Sequence, residues 1–428
     1  MTQKLTANHI FVLVGTTLSI FTYMSLGLGV LSLYVVPMIE EFGANRAEIS
    51  ALFTFDALTS IPFSLFAFKV FKKVKMKTLY IVGGIASACG LIIMSSSNSL
   101  PALYIGAFIL GFGVFGNGYL VGGAIIAQWY EKARATAMGI MSAASGAGTL
   151  IFSPIVATWL GNVGWRSSLM YSAVIVGVAV VFSGVFLIKE SPGVYGLKSY
   201  GQPLDTISKE QEATSATASA IDIPGISLSE AKKRATFYIV IACGLFITIV
   251  SQGMATQQSA MIIDKGFSLT EAAYVLSVYS LTNMLNKLAA GVITDKFGLK
   301  AFIWYCGMAF IAAALVMLFC SSYGAMIVFA ILVSMWLAVV GSFTMLVNTF
   351  LYERKEIGAI QGFTQVAQSL GAMIGPTVAS GLYVISGSYR LFLMMSIVMV
   401  VVLLVINTSI LNPKNSYYVF YEKDKKAM

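Results

Sequence analysis

Lys287 stands in the stretch LTNMLNKLAAGVITDKFG, residues 281–298, with no other charge before Asp295. An ammonium in hydrocarbon costs roughly 3 kcal/mol on insertion scales, so a residue of this kind needs a partner or a task. One task is to act as countercharge to an anion at mid-depth. The bland alternatives are a permanent partner on its own helix, or snorkelling to the membrane edge. Asp295 is two turns on, about 12 Å at 1.5 Å per residue, too far for direct pairing. The other acid of this kind is Asp56, in FTFDALTS. It is a candidate proton carrier or a partner that Lys287 holds until an anion displaces it; alternatively it is protonated and bonded to Thr54, Thr59 or a neighbouring helix. Gln361, Gln365 and Gln368 recur at i, i+4 and i+7, one face of a helix, and either line a site or join helices. Gln252, Gln257 and Gln258 are further cavity candidates, and Asn286 suits helix packing. The single histidine, His9, is expected at the membrane interface, which excludes histidine-based catalysis. Cys89, Cys243, Cys306 and Cys320 lack metal-ligand spacing and are expected to be buried packing residues. No GxxxxGK[ST] follows a strand, so nothing points to ATP. No cofactor and no metal are expected, and no enzyme activity.

These groups must be positioned by apolar helices. Hydrophobic residues make up 58% of the 428, charged residues 11%, and mean hydropathy is +0.84. That balance excludes a water-soluble fold and predicts an all-α membrane protein. Apolar runs long enough to cross about 30 Å of hydrocarbon recur along the chain. The expected spans are 10–36, 47–68, 78–96, 102–127, 136–160 and 167–188, then 236–261, 271–293, 301–320, 324–350, 357–384 and 391–411. The first run is too long for a signal-peptide core and reads as a transmembrane helix. Four of the 27 Lys and Arg residues, Arg46, Arg166, Lys265 and Arg390, fall in loops on one side; one is Lys287, and the other 22 lie on the opposite side. The positive-inside rule therefore predicts a multi-pass protein of the cytoplasmic membrane with both termini cytoplasmic. The net charge of +9 reflects contact with anionic lipid of the bilayer, not with nucleic acid.

Residues 189–234 are polar, with "GQPLDTISKEQEATSATASAIDIPG" at their centre, and read as a cytoplasmic linker. The expected organisation is a six-helix bundle over 1–188, the linker over 189–234, a second bundle over 235–412 and a cytoplasmic tail over 413–428. The halves repeat. Gly84 and Gly307, Gly139 and Gly362, and Gly148 and Gly371 are each 223 residues apart, and Pro154/Pro376 and Arg166/Arg390 fit within one residue. A duplicated six-helix unit with a site between the copies is a transporter architecture.

The stretch "GVITDKFGLK", 291–300, resembles the loop signature GxxxDxxGxxK of the major facilitator superfamily. In it Gly291 permits close helix approach, Asp295 caps or pairs, and Gly298 takes the turn. The first-half counterpart "FKVFKKVKMK" departs from it, with Lys72 where the acid would stand. Within the superfamily, "PMIEEFGANRAEIS", "AQWYEKARATAMGIMSAASGAG" and "ESPGVYGLKSYG" are similar to segments of the monocarboxylate and oxalate/formate porter branch.

The resemblance implies further roles. That branch carries a substrate-binding base, usually Arg, four residues before the loop glycine, and Lys287 occupies that position. Asn283 stands where some relatives carry a proton-coupling Asp. Gln368 falls where oxalate-type relatives have a second cation, which implies a monoanion. Tyr34 and Tyr119 fall at substrate-facing tyrosine positions. The expected function is secondary transport of a small organic anion, a monocarboxylate, by proton symport or anion exchange. Lys287, Asn283, Tyr34, Tyr119, Gln365 and Gln368 would line the site, Asp56 would be the coupling candidate, and the protein would be a monomer. The alternative is efflux of a drug or amphiphile by proton antiport, which would need Asp56 and not Lys287. A ligand sensor is disfavoured, because neither linker nor tail is long enough for an output domain.

Overall fold

The computed structural model describes residues 3–202, 227–352 and 357–411. The tail 413–428, residues 203–226 of the linker, and the side chains of Lys72, Gly291 and Asp295 lie outside the described residues. What is described is helical throughout apart from short connections, as hydrocarbon requires of a spanning backbone. The helices are α1 Ala7–Thr22, α2 Val35–Phe42, α3 Arg46–Lys73, α4 Met76–Ser95, α5 Leu100–Gly116, α6 Tyr119–Trp129 and α7 Arg134–Phe182. After the linker come α8 Leu228–Ala231, α9 Ala235–Ile263, α10 Leu269–Phe319, α11 Tyr323–Tyr352, α12 Ile357–Ser386 and α13 Arg390–Ile410.

Every one of the twelve expected spans contains helix. The 49 residues of α7 would be about 74 Å long if straight, twice what a bilayer accepts, so α7 must cross twice. It breaks at Gly164 (φ 77°), and α10 breaks in the same way at Gly298 (φ 81°), a left-handed backbone conformation that residues with a side chain rarely adopt. The result is two six-helix bundles. Below, the face where α1 begins and α13 ends is called the terminal face, and the other the distal face.

The repeat is written into the helix starts as well as the glycines. Asn45 accepts from the Glu48 backbone N–H (2.9 Å) and donates its own N–H to Glu48 (2.7 Å) to open α3. Ser268 and Glu271, 223 residues further on, close the same reciprocal cap on α10.

The first crossing is irregular. Between α1 and α2 run a π-helical turn, Tyr23–Gly29, and a 3-10 turn, Leu31–Leu33. Such distortion is tolerated at membrane depth where the backbone lines a cavity, and this segment does. The bundles pack through α3 against α12 and through the first half of α7 against the first half of α10. Gly146 makes the latter possible: a β-carbon there would sit 2.9 Å from both Met284 Cβ and the Ser280 carbonyl oxygen.

His9 is buried in the first turn of α1, where Thr6 and the Lys198 carbonyl hold its two ring nitrogens. One expectation needs correction. Cys243 and Cys306 are buried, but Cys89 and Cys320 are exposed, because hydropathy does not separate a lipid-facing side of a span from a packed one.

Candidate functional site

A cavity of about 430 Å³ lies between the bundles, a size suited to a small organic solute. The first bundle contributes Met24, Gly29, Ser32, Phe53, Asp56, Tyr119, Ser145 and Thr149. The second contributes Gln252, Gln258, Tyr279, Asn283 and Lys287. A second void, of about 470 Å³ between α9 and α13, is lined by side chains such as Ile239, Phe246, Val398 and Val402 and carries no charge to recognise a polar solute.

Lys287 faces the central cavity. Its Nζ reaches the Ser145 hydroxyl at 3.5 Å and lies 5.8 Å from the centre of the Tyr119 ring; no acidic group pairs with it among the described residues. The break between α5 and α6 sets Tyr119 at the start of α6, 40% exposed, and its hydroxyl donates to Ser145 at 2.8 Å. Ser145 passes the bond on to the Ser142 carbonyl at 3.0 Å. Lysine, serine and tyrosine thus form one polar end of the cavity with a cation left uncompensated. Asn286, one residue before, turns away and donates to Ser334 at 3.0 Å, which joins α10 to α11.

Asp56 is 7% exposed and its Oδ1 has no hydrogen-bond partner among the described residues. The two threonines that could have satisfied it are engaged elsewhere. Thr54 donates to the Met373 carbonyl at 2.8 Å or shares a proton with Thr377 at 2.7 Å, and Thr59 donates to the Phe108 carbonyl at 2.8 Å. Asn283, also 7% exposed, has an unpartnered Oδ1. Buried polar atoms without partners are costly and uncommon in native structures. Two of them, one from each bundle, belong to residues that line this cavity.

Three site expectations are corrected. Tyr34 does not line the cavity: two residues beyond Ser32 it is fully buried, with its hydroxyl on Ser168 at 2.8 Å. Gln365 is exposed and Gln368 buried, and neither lines the cavity. They share a helix face with the lining residues Ala372 and Pro376, but stand about 10 and 6 Å nearer the terminal face than Ala372. The face is right and the level is not.

Hydropathy and motifs gave no notice of a second constellation, at the distal face. Arg46 pairs with Asp264 across the bundles, donates to the Tyr389 hydroxyl at 3.0 Å, and lies 4.2 Å from the centre of the Tyr383 ring. Tyr389 donates to Gln257 at 2.8 Å, and Gln257 donates across to Ser50 at 2.9 Å. Ser32 and Ser259 meet at 3.0 Å. The inter-bundle hydrogen bonds described lie at Lys287–Ser145 or on its distal side, so the bundles are fastened there. The repeat offers a hint in retrospect: Asp264 stands 223 residues after Glu41. Glu41 pairs within its own bundle, with Arg166 at 2.8 Å and with the Trp165 indole. Its equivalent is turned instead to the opposite bundle.

A model of the Major Facilitator Superfamily matches residues 14–263 and 241–418. Among curated relatives, Monocarboxylate transporter 12 of Xenopus laevis is 25% identical over 236 residues, 53% of this chain and 49% of that protein. Monocarboxylate transporter 2 of Mus musculus is 23% identical over 334 residues, 73% of this chain and 66% of that protein. The chain spans about half the length of the first of these relatives. Among solved structures, the nucleoside transporter NupG superposes with a TM-score of 0.70 at 13% identity, covering 94% of this chain and 99% of that one. A bacterial homologue of the lysosomal transporter Spinster, inward-facing and occupied, gives 0.63 at 17% identity, covering 97% of each.

Proposed function

Because the chain belongs to the Major Facilitator Superfamily, and is therefore a multi-pass membrane transporter of a small molecule and not an enzyme, we propose that it moves a small organic monocarboxylate by alternating access. One observation carries the reading: the Lys287 ammonium opens onto the inter-bundle cavity with a hydroxyl beside it and no acid paired with it among the described residues. A carboxylate arriving there meets a point charge with three donors. Tyr119, Ser145 and Asn283 complete the polar lining. The names of the relatives, monocarboxylate transporters, support the same class.

Asp56 is the coupling candidate. A carboxyl that takes up a proton alongside the anion leaves the loaded cavity neutral, which is what passage through a low-dielectric interior demands. The distal network around Arg46 is the gate that must open for access from that side, and the positive-inside rule makes that side the external one. Efflux of an organic cation would use Asp56 but would set the cation in one cavity with Lys287, so we give it second place. Replacement of Lys287 by Met, with counterflow of a labelled monocarboxylate in proteoliposomes, tests the assignment; undiminished counterflow removes it.

A further inference from the structure

We propose that the solute carries its own cation: an ω-amino carboxylate, bound through its carboxylate at Lys287 and through its ammonium at Asp56. This rests on the assignment of Lys287 above and replaces the proton as the partner of Asp56. The cavity shows three unmet demands. Among the described residues Lys287 lacks an acceptor of opposite charge, whereas the Oδ1 atoms of Asp56 and Asn283 lack donors. A plain monocarboxylate answers only the first. An ammonium supplies three donors and answers the other two.

The levels of these groups set the length of the solute. α3 and α10 both start at the distal face, from caps at repeat-related positions. Asp56 lies ten residues into α3, about 15 Å from that face, and Lys287 lies eighteen into α10, about 27 Å. Their α-carbons are thus offset by about 12 Å along the helices, and no ion pair joins the two side chains among the described residues. With a contact of about 3 Å at each end, up to about 6 Å remain between the charged groups of the solute. At about 1.2 Å per bond of extended chain the limit is about five bonds, the length of a δ-amino acid. Asn283, one turn distal of Lys287, lies along the way. Phe53, Met24 and Tyr279 offer apolar wall for the methylenes between the charges. With both ends engaged the loaded cavity holds two opposite pairs and no net charge.

The test uses the full chain in proteoliposomes, with four labelled probes: δ-aminovalerate, valerate, pentylamine and glycine. The expected result is a kcat/KM for δ-aminovalerate about tenfold or more above each of the others, the worth of one charge-assisted hydrogen bond. Asp56→Asn, nearly isosteric, should bring δ-aminovalerate down to the level of valerate. Because the wild-type ratios need no variant, a folding defect in Asp56→Asn leaves the proposal falsifiable. If valerate equals or exceeds δ-aminovalerate in the wild type, the proposal is overturned and the monocarboxylate assignment stands. If no carboxylate is moved, or if Lys287→Met changes nothing, both are overturned.

Discussion

Replacing Lys287 by Met should move transport and stability in opposite directions. The cation opens onto the cavity without an acidic partner among the described residues, so its removal breaks no ion pair there. The only hydrogen bond it makes among the described residues is the long one to Ser145, at 3.5 Å. Removing a charge from mid-membrane relieves roughly 3 kcal/mol on insertion scales. The variant should therefore insert and melt at or above the wild-type temperature. Binding of an anion should suffer. A charge-assisted contact to a carboxylate is worth about 1.5–3 kcal/mol, and two unit charges 4 Å apart interact by about 4 kcal/mol at an effective dielectric of 20. At about 1.4 kcal/mol per decade, the middle of the 1.5–3 kcal/mol range predicts a loss of about fortyfold in kcat/KM. Lys287→Arg, which keeps the charge but exchanges a compact ammonium for a planar fork, should recover most of it with an altered KM. The assay is counterflow of labelled monocarboxylate into proteoliposomes matched for protein content, with melting followed in detergent. Wild-type counterflow in the Met variant would refute the reasoning. So would a lower melting temperature, because it would mean that Lys287 holds the fold together.

Arg46→Ala should loosen the distal gate. It removes a stacked guanidinium and a partly exposed ion pair, together about 1–2 kcal/mol, or about a tenfold shift in favour of the distally open state. In a background with its cysteines replaced, a cysteine at Ser259 should then label faster with an impermeant maleimide; an unchanged rate refutes the gate. Gly146→Val should wedge α7 from α10, since even a bare β-carbon there is 2.9 Å from Met284, and should slow exchange between states more than it weakens binding of δ-aminovalerate. Burial works to raise the Glu41 carboxyl, but hydrogen bonds from Arg166 and Trp165, with the Arg166 charge, hold it below the ordinary glutamate range. Its contact should thus be present above the unfolded-state value and lost only as pH falls through the lower folded one. The Trp165 emission, isolated by difference from Trp165→Phe, should be flat through neutral pH and change only in acid; a transition near neutrality refutes this.

The sequence by itself determined what the membrane imposes locally. Length and hydropathy set the spans, the 223-residue offset set the duplication down to the reciprocal caps at Asn45 and Ser268, and insertion cost singled out Lys287 and Asp56. Each of these depends on neighbours within a few residues or on a bulk transfer energy. Tertiary structure decided which face of each span meets a cavity, a neighbouring helix or lipid. Family resemblance points to Tyr34 and Gln368, yet Tyr34 spends its hydroxyl on Ser168 and Gln368 sits about 6 Å off the cavity's level. Ser145, Arg46 and Asp264 carried no local signal, because their partners are 142, 343 and 218 residues away. Hydropathy measures removal from water, and all three surroundings satisfy it equally. The rotation and level of one helix against another are fixed only by close packing between bundles, as at Gly146 against Met284, and that is a property of the assembled chain.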